Sequence, residues 1–408
     1  MKNQAINKLG SHLLRSEIPF CRPFIAGHES KYVAQVLTSG SIGSDGRFTR
    51  SCAQFLKDRF GVHEVFMTPS CTAALEMAAM LLDLKEGDEV LMPSFTFTST
   101  ANAVVLRGAK PVFVDIRPDT LNIDERLVES GITSRTKAIF AVHYAGVGCE
   151  MDRLMAIAAK HNLLVVEDAA QAVNGYYRGR ALGSIGHLGA YSFHGTKDYT
   201  CGEGGALCVN SPELTAQAEI IRDKGTNRSK FFRGEVDKYS WVDAGSSYVP
   251  SEIACAVLLA QLEIMDTIKA RRAQLTQRYR ILLSPFEQMG LLSLPQVPAE
   301  CDASHHMYYV LLPDQETRDR LIVHFRERHI RALFHYVPLH CSPMGARLGY
   351  REGALPRTEQ LSGRLLRLPF YPDLSAEEQE RVVYGIESFF SVVKAPNVFR
   401  RSHLVESA

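Results

Sequence analysis

The residues best equipped for chemistry fall in three short stretches, each at the end of an apolar run. In Ala190-Tyr191-Ser192-Phe193-His194-Gly195-Thr196-Lys197, a lysine follows a strand-like segment and precedes Gly202-Glu203-Gly204-Gly205. Lysine can form a Schiff base with an aldehyde and, once displaced by another amine, can carry protons. A lone lysine after a strand is otherwise an ordinary solvated surface group, so its context decides. Gly204 and Gly205 would let the backbone approach a planar ring. Leu163-Leu164-Val165-Val166-Glu167-Asp168-Ala169-Ala170-Gln171 delivers an acid at the end of a buried strand. Asp168 can cap the next helix, or it can hold the proton on a pyridine nitrogen so that the ring draws electrons from a carbon losing its proton. Gln171 is placed to reach the same ligand. Thr68-Pro69-Ser70-Cys71-Thr72-Ala73-Ala74-Leu75 ends a strand and opens an Ala-rich helix. The free N–H groups, helix dipole and hydroxyls of such a start suit a phosphate, though the same residues also make a plain helix cap.

An acid at a strand end, then Ser-x-His-x-x-Lys, then Gly-Gly is more specific together than in any part. These residues must be gathered at one edge of a sheet, and the sequence between about residues 62 and 210 provides one. Short runs rich in Val, Ile and Phe alternate there with Ala- and Leu-rich helical patterns, as in successive parallel crossover units. Strands are expected at Val65–Met67, Glu89–Met92, Pro111–Asp115, Ala138–Val142, Leu163–Glu167, Ala190–Phe193 and Gly205–Val209. Several lack polar alternation, as when helices cover both faces of a sheet. From Ser251 the pattern changes to a long helical stretch, Glu252–Arg280. A strand at His306–Leu312, a helix at Gln315–His329, a strand at Ile330–Tyr336 and a helix at Ala376–Val393 complete a smaller C-terminal α/β domain. The expected division is a polar extension over 1–17, a large ligand-binding domain over 18–265, a small domain over 266–393 and a flexible tail over 394–408.

The 408 residues are ample for two lobes. With Lys+Arg 46 against Asp+Glu 45, the near-zero net charge offers no overall reason to bind nucleic acid or an anionic membrane. The nine cysteines, scattered from Cys21 to Cys341, form no Cys-x-x-Cys pair and lie beside no histidine at metal-ligand spacing. They read as reduced packing thiols, and no metal is expected. The first twenty residues lack the apolar stretch of a signal peptide and no run approaches a bilayer span, so a cytoplasmic location is expected.

With these motifs in view, residues 18–392 resemble the DegT/DnrJ/EryC1/StrS family of nucleotide-sugar aminotransferases. The resemblance is carried by IPF (18–20), PSCTAALEMA (69–78), MPSFTFTSTANAV (92–104), VVEDAAQA (165–172), YSFHGTKDYTCGEGG (191–205) and FHYVPLH (334–340). It implies a fold-type I α/β enzyme dependent on pyridoxal 5'-phosphate, with a mostly parallel central sheet. Lys197 matches the Schiff-base lysine, Asp168 the partner of the pyridine nitrogen, and Gln171 the residue near the ring hydroxyl. Thr72, Ala73 and Ser192 match phosphate-binding positions. Phe97 matches an aromatic that stacks on the pyridine, although core packing would equally explain it. The resemblance also implies a homodimer with shared active sites. Where many relatives place a partner-subunit Asn or Arg near the phosphate, this chain has Val249.

The loop Arg222–Gly234 holds five basic residues beside Phe231 and Phe232. It reads as a solvated basic surface, as a nucleic-acid contact, or, in better accord with the neutral whole, as a grip on a nucleotide diphosphate through residues such as Lys224 and Arg228. Residues 224–248, with 68–79 and 334–340, resemble the dTDP-4-amino-4,6-dideoxygalactose transaminase subgroup. That implies dTDP-4-keto-6-deoxyglucose and L-glutamate as substrates, for a surface polysaccharide such as enterobacterial common antigen. His335 and His340 would line the sugar-nucleotide site; as single histidines they can also be satisfied structural groups. Amination at carbon 3 fits the cofactor residues equally. A sugar dehydratase of the same fold would carry His in place of Lys197, and a non-catalytic sensor would not need the full set of catalytic positions.

Overall fold

The computed structural model describes residues 16–25 and 27–394. The extension expected over 1–17 lies, apart from Ser16 and Glu17, outside the described residues, as does the tail expected beyond Lys394. All seven strands expected in the central sheet are present: β1 (Glu64–Thr68), β2 (Glu89–Pro93), β3 (Lys110–Val114), β4 (Thr136–Val142), β5 (Leu164–Asp168), β8 (Leu188–Ser192) and β9 (Gly205–Val209). A small hairpin of β6 (Tyr176–Tyr177) and β7 (Arg180–Ala181), which has no counterpart in the sequence reading, pairs with β10 (Cys301–Asp302) instead. The sheet order is β1-β9-β8-β5-β4-β2-β3. Only β9 runs against the others.

Strand side chains alternate between faces, and here both faces are apolar. Ile139 and Ala141 of β4 join one core, with Leu56, Leu154 and Leu258 from helices Arg47–Phe60, Met151–His161 and Glu252–Leu262. Ala138 and Phe140 of the same strand join the other, with Ala74, Ala78 and Ile221 from helices Cys71–Leu81 and Thr215–Arg222. Each fully buried ring or branched chain of this kind contributes about 1.5–3 kcal/mol, which explains why the strands carry no polar alternation. The helix Cys71–Leu81 starts where Ser70 Oγ accepts the Ala73 N–H at 3.1 Å. Its small residues let it press close to the sheet. A Cβ on Gly205 would lie 2.4 Å from Cys71 N, so β9 must begin with glycine for the helix start to sit over it.

The second lobe is built on β11 (Tyr309–Leu311) paired antiparallel with β12 (Leu365–Arg367) and covered by helices Met265–Gln288, Gln315–Glu327 and Ala376–Lys394. The helical stretch expected over 252–280 is two helices, interrupted at Glu263 and Ile264. The second runs between lobes: Met265 and Ile268 pack in the first core, Leu275 and Tyr279 in that of the second lobe. Ile18 packs there too and bridges to Ile330. The strand expected at Ile330–Tyr336 does not form. That segment makes only two isolated bridges, to Ile18 and, through Leu333, to Arg367, because His335 and Tyr336 turn away from the sheet to line a cavity between the lobes.

Candidate active site

The carboxyl ends of β5 and β8, the start of the helix after β1 and the turn after β2 meet at one edge of the sheet, where ligands collect in open α/β folds. There they floor a cavity of about 700 Å³ roofed by the second lobe. Thr72, Phe97, Asp168, Gln171, Ser192, Lys197 and His335, all singled out from the sequence, line it.

Asp168 is buried, and its charge is met only by neutral donors. Thr100 Oγ1 donates to Oδ2 at 2.7 Å and the Ala170 N–H to Oδ1 at 3.2 Å. Thr96 and Thr100 hydroxyls are 2.8 Å apart, extending the network. No described residue forms an ion pair with this carboxylate, which leaves a buried charge able to take a cationic partner. Gln171 is fixed at both ends: Oε1 accepts the Ala145 N–H at 2.7 Å, and Nε2 donates to Tyr336 Oη at 3.0 Å. Ala145 holds a left-handed backbone, φ 56°, a strained conformation for alanine of the kind that concentrates at functional sites.

Lys197 projects into the cavity, and no described residue hydrogen-bonds its amine. Burial lowers its affinity for a proton, against the opposing fields of Cys71, Asp168 and Asp198, so the nucleophilic amine is easier to reach than in a solvated lysine. Its neighbour Asp198 anchors it across the lobes. The Asp198 carboxylate lies 2.9 Å from both Arg272 and His306 Nδ1. Burial would raise its pKa, but these two partners keep it below the usual value. Burial pushes His306 down to about 4, so neutral His306 donates from Nδ1.

The helix start holds its phosphate-binding donors in part. The Ala73 N–H is already donated to Ser70 Oγ, and Ala73 does not line the cavity. At this helix start the Cys71 and Thr72 N–H groups are without a partner among the described residues. Thr72 and Ser99 hydroxyls, 2.7 Å apart, stand beside them, with Ser192 across the cavity floor. Phe97 lines the cavity and is 60% exposed, which is how an aromatic free to stack on a ring would be presented, and it excludes core packing.

His340 is a correction. Its ring is sealed between Ser94 Oγ at 2.7 Å and Glu359 Oε1 at 2.8 Å, so it braces the segment behind the cavity instead of lining it. Lys224 and Arg228 also lie outside the cavity of their own chain. Lys224 Nζ is 2.9 Å from Asp223, and Arg228 sits over the Phe232 ring at 5.1 Å. Thr100, Tyr336, Arg272, His306 and Arg367 had not been picked out. Thr100 and Tyr336 lie inside motifs quoted from the sequence, but only their hydrogen bonds reveal their part; Arg367 has no motif at all.

The profile of the DegT/DnrJ/EryC1/StrS aminotransferase family matches residues 23–387. This chain belongs to that family. The uncharacterized protein MJ1066 of Methanocaldococcus jannaschii is 32% identical to it over 383 residues, which is 92% of this chain and 98% of that one. Among solved structures, the aminotransferase TlmJ of Streptoalloteichus hindustanus superposes with a TM-score of 0.85 at 29% identity, covering 93% of this chain and all of its own. Spr1654 of Streptococcus pneumoniae, assigned as a sugar aminotransferase, superposes with a TM-score of 0.86 at 26% identity in its PLP-form, over 93% of this chain and 100% of that chain; its PMP-form is also solved. The cofactor of this aminotransferase is pyridoxal 5'-phosphate, and the residues fit it: an unpartnered lysine amine, a buried carboxylate without a cation, a helix start with free N–H groups and an exposed aromatic ring.

Proposed function

We propose that this aminotransferase moves the amino group of L-glutamate to carbon 4 of a dTDP-linked 4-keto-6-deoxy sugar, giving dTDP-4-amino-4,6-dideoxygalactose and 2-oxoglutarate for a surface polysaccharide. The convergence of Lys197, Asp168 and Gln171 on one cavity carries the transamination; resemblance over residues 224–248 supports the sugar. When bound, the cofactor supplies a carbonyl that takes up amines and a ring that accepts electrons. Lys197 is the proton carrier: its Nζ takes the α-proton of glutamate in the first half-reaction and delivers a proton to carbon 4 from one face in the second. Asp168, oriented by Thr100, keeps the ring nitrogen protonated. Ser192, Thr72 and the free N–H groups hold the phosphate, with Lys197 and the Phe97 ring on the cofactor itself. His335 contacts the sugar nucleotide.

Lys224 and Arg228 take part through a homodimer. Their loop exposes Trp241, Phe232 and Tyr239 at 80%, 70% and 56%, an apolar surface suited to a second subunit, where the two basic residues would reach the diphosphate. No helix of the described residues is long and apolar enough to cross a membrane, in keeping with soluble, cytoplasmic substrates. Incubation with dTDP-4-keto-6-deoxyglucose and glutamate, followed by NMR of the sugar, tests the reading. An axial amine at carbon 4 is expected; an amine at carbon 3, or recovery of the keto sugar unchanged, would overturn it.

A further inference from the structure

Three side chains of metal-binding type meet behind the cavity, and none of them lines it. The tight turn Leu339–Cys341 presents His340 and Cys341, neighbours in sequence, and Glu359 comes from the helix Pro356–Arg364. His340 Nε2 lies 2.8 Å from Glu359 Oε1 and 3.3 Å from Cys341 Sγ. One ligand atom from each residue falls within 4.8 Å of the other two. In a tetrahedral zinc site, bonds of about 2.0–2.3 Å set the ligand atoms about 3.2–3.7 Å apart, so shifts of about 1 Å close this cluster to that geometry. A nitrogen, a sulfur and a carboxylate oxygen together suit zinc better than magnesium or calcium, which take oxygen alone. The cysteine spacing predicts no metal; the third ligand belongs to another element, and only the fold brings it to the turn.

The surroundings are arranged for a cation. His340 is held at its other nitrogen, with Nδ1 2.7 Å from Ser94 Oγ, and the same hydroxyl accepts the His340 backbone N–H at 3.0 Å. Metal-bound histidines are oriented by such a partner on the second nitrogen. Burial would raise the Glu359 pKa, but hydrogen bonds from His340 and from the Gly353 and Leu355 N–H groups hold it below the usual carboxylate value. The carboxylate is therefore charged and fixed in place. Burial and the fields of Glu359 and Glu352 push the Cys341 thiol up to about 11. A negative potential that disfavours a thiolate favours a cation beside it. Cys341 and Glu359 are only partly buried, which gives an ion an entry path.

We propose that His340, Cys341 and Glu359 form a zinc site, with water as the fourth ligand. The protons balance simply. The Cys341 thiol releases its proton to solvent, the His340 proton sits on Nδ1 towards Ser94, and Nε2, Sγ and Oε1 each give an electron pair to the ion. The ion ties the turn Leu339–Cys341 to the helix Pro356–Arg364 and, through Ser94, to the end of β2. It acts on stability and on no step of the reaction, so the site stands whichever sugar or amino donor is used.

The test takes the cofactor-loaded protein, strips it with a chelator, and titrates it with Co²⁺ as a coloured stand-in and with Zn²⁺ against a chromophoric competitor. One ion per chain is expected, with thiolate-to-cobalt absorbance and a higher unfolding temperature with zinc than without. Because one proton leaves the thiol, affinity should rise about tenfold per pH unit across neutral pH. Cys341→Ser, a one-atom change at a half-buried position, should lose the thiolate absorbance and bind zinc at least about tenfold more weakly. Ser94→Ala, which removes only the support of His340, should weaken binding by about 10- to 100-fold. Cys301→Ser, at a partly buried thiol held against the Gly148 carbonyl, should bind as the native protein does. Absence of thiolate absorbance in the native protein, or zinc binding of native strength in Cys341→Ser, which would put the ion on cavity or surface groups, would overturn the proposal. Loss of the proposed sugar activity would leave these titrations unchanged, so the two failures are distinguishable.

Discussion

The floor and the roof of the cavity are made in different ways. The floor consists of strand ends and the turns directly after them: Asp168 ends β5, Ser192 ends β8, Lys197 follows five residues later, and Thr72 opens the helix after β1. Each position is set by local chain geometry once the sheet forms. The roof, made of Phe20, His335, Tyr336 and Arg367, comes from three separate stretches of chain that meet only because the second lobe packs as it does. Floor residues are fixed by the sheet and, in the proposed function, serve the cofactor's atoms, whereas roof residues are set by the packing of the second lobe and face the substrate. Substitutions in the floor should therefore stop chemistry, and those in the roof should change affinity.

The largest effect tests the floor. Lys197→Ala removes the one lysine amine that lines the cavity among the described residues and should lower turnover by at least about 10⁴-fold, the scale of lost proton transfer together with lost covalent capture, while the fold survives. Native turnover in the alanine variant would remove the basis of the assignment. The same lysine predicts a pH dependence. Only the neutral amine attacks an aldehyde, and burial moves the Lys197 pKa down from the ordinary lysine value. The rate of cofactor loading into stripped protein should therefore rise with pH and level off below pH 10.5, the ordinary value of a lysine amine. A rise continuing undiminished past that value would mean the amine is not perturbed.

The difference between floor and roof also explains what could be read from the chain. β1–β5, β8 and β9 announce themselves because each is built on an apolar run broken at its end by Pro or a polar residue, as at Pro69, Pro93, Asp115, His143, Asp168, Ser192 and Asn210. Asp168 and Lys197 are legible because their places at such ends have few competing uses when taken together. His340 was misplaced because the FHYVPLH motif carries no information on which way a side chain turns after Pro338. In the structure the chain makes a tight turn at Leu339–Cys341 that points His340 inward to Ser94. The strand expected at Ile330–Tyr336 failed for a related reason: its apolar residues satisfy a strand pattern, but tertiary demand for His335 and Tyr336 in the cavity overrides it. Arg367 is a lone cation after Leu365 and Leu366, and only its missing partner in three dimensions marks it.

The two histidines of that motif sharpen the comparison at intermediate size. His340→Ala breaks buried bonds to Ser94 and Glu359 and should cost about 2–4 kcal/mol of stability, read as a lowered unfolding midpoint with the KM for the sugar nucleotide within about twofold of native. His335→Ala should do the reverse, raising that KM by about fivefold, the worth of about one hydrogen bond, with a smaller loss of stability. If His340→Ala instead weakened sugar binding without loss of stability, the division between brace and roof would be wrong.

The smallest effect probes how the floor is tuned. Thr100 is one layer behind the site, yet its hydroxyl is the only side chain that hydrogen-bonds the Asp168 carboxylate among the described residues. Thr100→Val keeps the shape and removes that bond, leaving Asp168 Oδ2 to rely on the ring nitrogen alone. A neutral donor to a buried carboxylate is worth about 1.5–3 kcal/mol, but most of that is shared with the bound cofactor, whose nitrogen is a stronger partner for the freed oxygen. The expected result is a split: turnover falls by about two- to tenfold because the carboxylate is less well aimed, while KM for both substrates stays at its native value. The loss should be larger in the absorbance-monitored donor half-reaction than in cofactor retention. A change in KM without a change in turnover would place Thr100 in substrate binding and would mean that the carboxylate is held in place by the strand end alone.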